Sequence, residues 1–242
     1  MGYLLMITVI GLLILVHELG HLAAAKYTGI PIERFSVGFG PRLWGFRKNE
    51  TEYQVSAIPL GGYVLPKIED IEEYARLPLL TQVLFSFGGP AANMIAALLC
   101  ISVGSVVHSG LSLSSILTGP VEELFRTAHQ IVSAIPIFFD HPEKLSGIIG
   151  IVAFGGQHAG LDASRLLAYS VLLNVNLAIF NLLPLPPLDG GKIVFSILQR
   201  IYRPLTRLQV PVAIAGWACM AALTLYTSAI DIGRLWAGWM SA

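Results

Sequence analysis

The sequence predicts an α-helical polytopic membrane protein, with about four transmembrane helices, a small membrane-associated β-hairpin or sheet, and an amphipathic helix. Three observations carry this expectation. The 242-residue chain is 55% hydrophobic. Only 12% of it is charged, whereas a soluble domain carries roughly 25% and needs that charge to cover its surface. Several apolar runs exceed the roughly 18 residues that cross a bilayer as a helix.

The four runs cover about residues 3–25, 83–107, 166–185 and 210–229. The first could be taken for a signal peptide. However, no Lys or Arg precedes its apolar stretch, and no small-residue cleavage site interrupts it before Ala25. It also carries His17, Glu18 and His21, for which a disposable segment has no use, so it is read as a retained span. Between the first two runs, residues 32–65 have strand character. Glu52 to Ile58 alternates with period two, Gly61-Gly62 marks a turn, and Arg34 to Gly40 and Leu43 to Phe46 are strand-like. Between the second and third runs, residues 120–139 place Val121, Leu124, Phe125, Ala128, Ile131, Val132 and Ile135 at helical spacing, which predicts an amphipathic helix on the membrane surface or on the bundle. Residues 1–242 are read as one core.

Charge and cysteine content narrow the function. Fifteen basic and fifteen acidic residues cancel, so nothing points to nucleic acid. Cys100 and Cys219 each sit alone in an apolar stretch and form neither a metal motif nor a disulfide framework. Lys26, Arg34, Arg42, Arg47, Lys48, Lys67 and Arg76 follow the first run, and Lys192, Arg200, Arg203 and Arg207 follow the third. The longer segment after the second run has only Arg126, Lys144 and Arg165. The positive-inside rule then makes the first and third loops cytoplasmic, in an inner or plasma membrane, with both termini outside.

The chemistry begins at His17-Glu18-Leu19-Gly20-His21, which fits H-E-x-x-H. Positions i and i+4 share one helix face, so both imidazoles can reach one metal ion, with Glu18 placed to take a proton from water beside it. Ionisable groups at membrane depth are costly and usually functional, which favours this over a chance match. A catalytic zinc takes three protein ligands and keeps one position open. Asp189 is the best third candidate. It follows Pro184, Pro186 and Pro187, which stop a helix, and precedes Gly190 and Gly191, which permit unusual backbone angles. A turn or capping aspartate is the alternative reading of that segment. His108, His129, His141 and His158 lack ligand spacing and are read as surface or interface residues. Gly155-Gly156-Gln157-His158 reads as a turn.

Taken together, HELGH, Gly88-Gly89-Pro90-Ala91-Ala92-Asn93, Asn181-Leu182-Leu183-Pro184 and Leu188-Asp189-Gly190-Gly191 resemble the site-2 protease family of intramembrane zinc metalloproteases (peptidase M50-like). Phe35 to Pro41 and Ser56 to Val64 resemble its bacterial branch, which cleaves anti-sigma factors and remnant signal peptides. The resemblance implies one catalytic zinc ion on His17, His21 and Asp189. It implies Glu18 as base and later acid, and Asn181 as a group that binds substrate or the oxyanion. It implies transmembrane proteins or peptides in the lipid bilayer as substrates. It also implies that the strand region, Gln54, Val55, Ser56, Ala57, Ile58, Gly61 and Gly62, presents an edge to which an unwound substrate adds. The chain departs from the branch in one respect, because Val107 to Pro120 leaves no room for a PDZ domain. A non-proteolytic zinc-binding membrane protein and an ion or metal transporter are the rival classes. Intact Glu18 disfavours the first, and the lack of inverted repeats disfavours the second.

Overall fold

The computed structural model describes residues 1–68, 70–141, 145–158 and 162–240. Lys144, used above for orientation, lies outside the described residues.

The elements follow the hydropathy pattern. Helix α1 spans Gly2–Thr28, α3 Leu79–Ser109, α6 Ala163–Asn181 and α8 Gln209–Met240. Each of the four apolar runs is thus one helix. Four helical segments, Gly2–Thr28, Leu79–Ser109, Ala163–Asn181 and Arg203–Trp236, are long and apolar enough to cross a membrane. Large apolar side chains on them stand exposed, such as Ile95, Leu99, Ile214, Trp217 and Leu225. In water that surface would be unfavourable; against lipid it is the expected outer face. The chain is therefore a multi-pass membrane protein. Between the spans lie the short helices α2 (Ile71–Arg76), α4 (Gly119–Asp140), α5 (Ile148–His158) and α7 (Asp189–Ile201). Helix α4 matches the predicted amphipathic segment.

Three expectations are corrected. The third span stops at Asn181 rather than near 185, because the prolines at 184, 186 and 187 cannot supply the helical N–H bonds. Residues 155–158 are the last turn of α5, not a turn between elements. Asp189 lies neither in irregular backbone nor at a helix C-terminus; it is the first residue of α7, after Leu188 as N-cap.

Strands β1 (Ile32–Lys48) and β2 (Thr51–Pro66) are antiparallel neighbours joined at Asn49-Glu50, where Asn49 takes a left-handed φ of 55°. Both strands are long enough to curl back on themselves. Phe35 is partnered by Val64 on one side and Tyr53 on the other, and Ser36 likewise by Tyr63 and Gln54.

The contacts divide the chain into two units. One comprises Ile10–Ala96 and Leu177–Ile214. Its apolar core is Leu22, Ala25, Ile30, Ile32, Phe35 and Phe85, with Val37, Tyr53, Val64 and Tyr74 against it. Burial pushes the Tyr74 hydroxyl up to about 12. The sheet is thus anchored on α1 and α3. Those helices cross at Gly20 and Gly88: a Cβ on Gly88 would stand 2.6 Å from Gly20 O. Small residues allow this approach in a membrane, where no hydrophobic effect draws helices together.

The other unit comprises Met1–Val9, Ala97–Asn176 and Ala215–Ala242. Its polar anchor is Asp231 of α8, 2% exposed. The carboxylate Oδ2 accepts hydrogen bonds from the N–H groups of Gly147 and Gly150, each at 2.8 Å, where α5 begins. An anion at a helix N-terminus satisfies orphan donors and meets the positive end of the dipole.

Candidate metal centre

Three side chains from two distant parts of the sequence meet in the first of these units. His17 Nε2 and His21 Nε2 lie 3.2 Å apart. Asp189 Oδ2 lies 3.1 Å from the first and 3.2 Å from the second. All three residues are buried. Each has a local cause. His17 and His21 are one helical turn apart on α1, so their rings project from one face. Asp189 is delivered by the proline-containing segment after α6, which turns the chain and starts α7. Gly190 and Gly191 have no left-handed φ. They instead permit close packing, since a Cβ on Gly191 would stand 2.6 Å from the Leu185 carbonyl carbon.

The triangle fits a tetrahedral metal ion. Ligand atoms about 2.0–2.1 Å from zinc stand roughly 3.3 Å apart, close to the spacing seen. The tautomers point the same way. His21 Nδ1 donates to Phe85 O at 2.8 Å, so the Nε2 lone pair faces inward. Nε2 of His21 and Oδ2 of Asp189 are then two electron-pair donors face to face, which only a cation or a shared proton stabilises. Gly89 completes the cradle: a Cβ there would stand 2.6 Å from His17 Nε2.

Electrostatics favour an ionised Asp189. Burial alone raises its carboxyl, but the His17 and His21 ring nitrogens and the Lys192 charge outweigh that. Together they hold it well below the usual carboxylate range. Lys192 Nζ donates to Asp189 Oδ1 at 2.9 Å.

Glu18 is next to the triad but outside it, and faces the sheet. A Cβ on Gly62 would stand 2.9 Å from Glu18 Cγ. Asn181 ends α6, and one of its amide N–H groups donates to Leu177 O at 2.9 Å. It makes no hydrogen bond to the triad.

The strand residues separate into two groups. Gln54 and Val55 are inside the sheet rather than on a free edge, and the Ser56 side chain is buried beside them. Gln54 is registered with Ser36 and with Gly45, Val55 with Val37 and Trp44, and Ser56 with Arg42. Gln54 Nε2 donates to the hydroxyls of Ser36 and Ser56, each at 3.1 Å, in a buried polar cluster. Ala57 and Ile58 are exposed just beyond it. The expectation of an edge at 54–58 is therefore revised. Gly62 to Leu65 pair on one side only, with Val37 to Arg34, and have no second sheet partner among the described residues. The alternating pattern at 52–58 marked a strand correctly but could not show which strand would be outermost.

Sequence reasoning missed the Phe85 carbonyl, the proximity of Gly89 and the Lys192 contact. Lys192 left a local signal, a basic residue three positions after Asp189 on a helix, and Gly89 stood in the Gly88 to Asn93 motif without an assigned place. The buried polar atoms that make no hydrogen bond among the described residues include His17 Nδ1 and both amide atoms of Asn93, which lies one turn beyond Gly89 on α3.

Comparison with known proteins agrees with this geometry. The model of peptidase family M50 matches residues 5–225. A protein of Synechocystis bearing the name "Putative zinc metalloprotease" is 25% identical, with the alignment covering 80% of this chain and 83% of that protein. One of the same description from Clostridium perfringens is 26% identical over 79% of this chain and 86% of its own length. The chloroplast membrane metalloprotease ARASP of Arabidopsis thaliana is 26% identical over 81% of this chain and 70% of its length.

Proposed function

The chain belongs to peptidase family M50, and on that premise we propose that it is a site-2-type intramembrane endopeptidase with one zinc ion on His17, His21 and Asp189. Family membership makes it a zinc metalloprotease of the membrane; the intramembrane reaction and the residue roles are the proposal. The observation that carries it is the buried triangle of His17 Nε2, His21 Nε2 and Asp189 Oδ2, with Glu18 beside it on a membrane-spanning helix.

When bound, zinc lowers the pKa of water toward roughly 7 and polarises the scissile carbonyl. The protein's own groups supply the rest. Glu18 takes a proton from the attacking water and later gives it to the leaving amine. Asn181 has a second amide N–H beyond the one bound to Leu177, and it holds the substrate carbonyl as negative charge develops there. A substrate helix hides its peptide bonds, so it must be extended first. The open edge at Gly62 to Leu65 is the surface to which it adds as a strand, because the same Gly62 lies against Glu18. Substrates are transmembrane segments of membrane proteins, such as anti-sigma factors or remnant signal peptides. The basic loops support a site on the cytoplasmic side of an inner or plasma membrane.

The test is Glu18→Gln in purified protein, with bound zinc and cleavage of a membrane-embedded reporter measured together. Zinc stays stoichiometric while cleavage falls by at least about 100-fold, the usual effect of losing a general base. Surviving cleavage defeats the mechanism.

A further inference from the structure

The two oxygens of the Asp189 carboxylate face different partners. Oδ2 faces the imidazoles of His17 and His21 at 3.1 and 3.2 Å. Oδ1 accepts from Lys192 Nζ at 2.9 Å. A carboxylate can bind a metal ion through one oxygen or through both, and the choice decides how many positions remain for water and substrate. We propose that Lys192 is a positioning residue that keeps Asp189 a one-oxygen ligand and so holds a coordination position open. This inference rests on the metalloprotease reading above.

Three observations support it. The Asp189 side chain is 5% exposed whereas that of Lys192 is 51% exposed. The ammonium thus keeps water on its outer side while it engages a buried oxygen, and its charge is not stranded. Among the described residues, Lys192 is the one Lys or Arg within ion-pair distance of Asp189. The pairing is also fixed by backbone. Asp189 opens α7 and Lys192 lies three positions on, so both project from the same face of the first turn. Gly190 and Gly191 between them contribute no side chain that could compete for Oδ1. The arrangement is an outer partner orienting a ligand, a kind of contact whose removal typically costs 10–100-fold in metal affinity or activity.

The experiment uses the full chain with cobalt(II) in place of zinc, because the intensity of cobalt visible absorption falls as coordination rises from four to five. Wild type gives the intense four-coordinate spectrum. In Lys192→Met the carboxylate is free to bind through both oxygens, so the band weakens. With zinc, cleavage drops about 10–100-fold, in kcat rather than KM. Lys192→Arg restores the band and the rate. Should Lys192→Met fail to purify, Lys192→Ala is read in the same way. A Lys192→Met or Lys192→Ala spectrum identical to wild type overturns the assignment while leaving the metal site intact. Wild type that binds no cobalt, like a His17→Ala control, defeats the metal-site reading and this inference with it.

Discussion

Gly62 of β2 packs directly on Glu18 of α1: a Cβ at position 62 would stand 2.9 Å from Glu18 Cγ and 2.8 Å from Ser36 O. The open strand edge and the Glu18 side chain are therefore one structural unit. A Gly62→Ala variant must displace either the carboxylate or the pairing with β1. Misplacement of about 1 Å at a catalytic group costs on the order of 100-fold, so cleavage should fall steeply while zinc content is unchanged. Wild-type cleavage rates in Gly62→Ala would mean that the edge does not lie at the reacting bond.

Gly89 gives a prediction of unusual sign. Replacing a mid-helix glycine by alanine normally stabilises by about 0.5–1 kcal/mol. Here the added methyl would stand 2.6 Å from His17 Nε2. Gly89→Ala should therefore retain its helix content but lose bound zinc, as read by metal analysis alongside circular dichroism. Full zinc occupancy would show that the α1–α3 contact is looser than described.

Asp189 separates metal binding from pH. Asp189→Ala should lower zinc stoichiometry sharply, and a chelator should abolish wild-type cleavage until zinc is restored. In the metal-free protein the sign follows from its depressed folded pKa. The stability it contributes is fully present above the unfolded value near 3.9 and is lost as pH falls toward the folded one. The gap in melting temperature between metal-free wild type and Asp189→Asn should narrow as pH falls below about 4. A gap unchanged by acidification would contradict this.

Asp231 tests the other unit. Removing a buried carboxylate that accepts two backbone N–H groups leaves both donors unsatisfied, at a cost of about 1–3 kcal/mol. Asp231→Ala should melt several degrees lower than wild type with zinc stoichiometry unchanged. An unaltered melting temperature would show that the start of α5 is held by something else.

The sequence and the structure divide the explanation unevenly. His17, Glu18 and His21 were legible because a helical metal motif needs only local spacing, and its cost in an apolar run made it conspicuous. The spans were legible because their apolar length is a property of the segment. Asp189 was legible as a candidate, but its seat was not. The prolines announced the end of α6, and nothing in them announced that α7 starts at Asp189 itself.

By itself, then, the sequence determined a multi-pass helical membrane protein with two imidazoles and a glutamate inside its first span. Those features depend on residues within a few positions of one another, where helix periodicity fixes geometry. Only the tertiary structure decided that Asp189 closes the triangle and that Lys192 takes its second oxygen. It also decided that Gln54 and Val55 are internal, and that Gly62 to Leu65 form the edge beside Glu18. Each of those depends on which strand or helix packs outside which. That is set by the curl of the sheet over α1 and by the close approach at Gly20, Gly88 and Gly89, contacts between segments that no local pattern encodes.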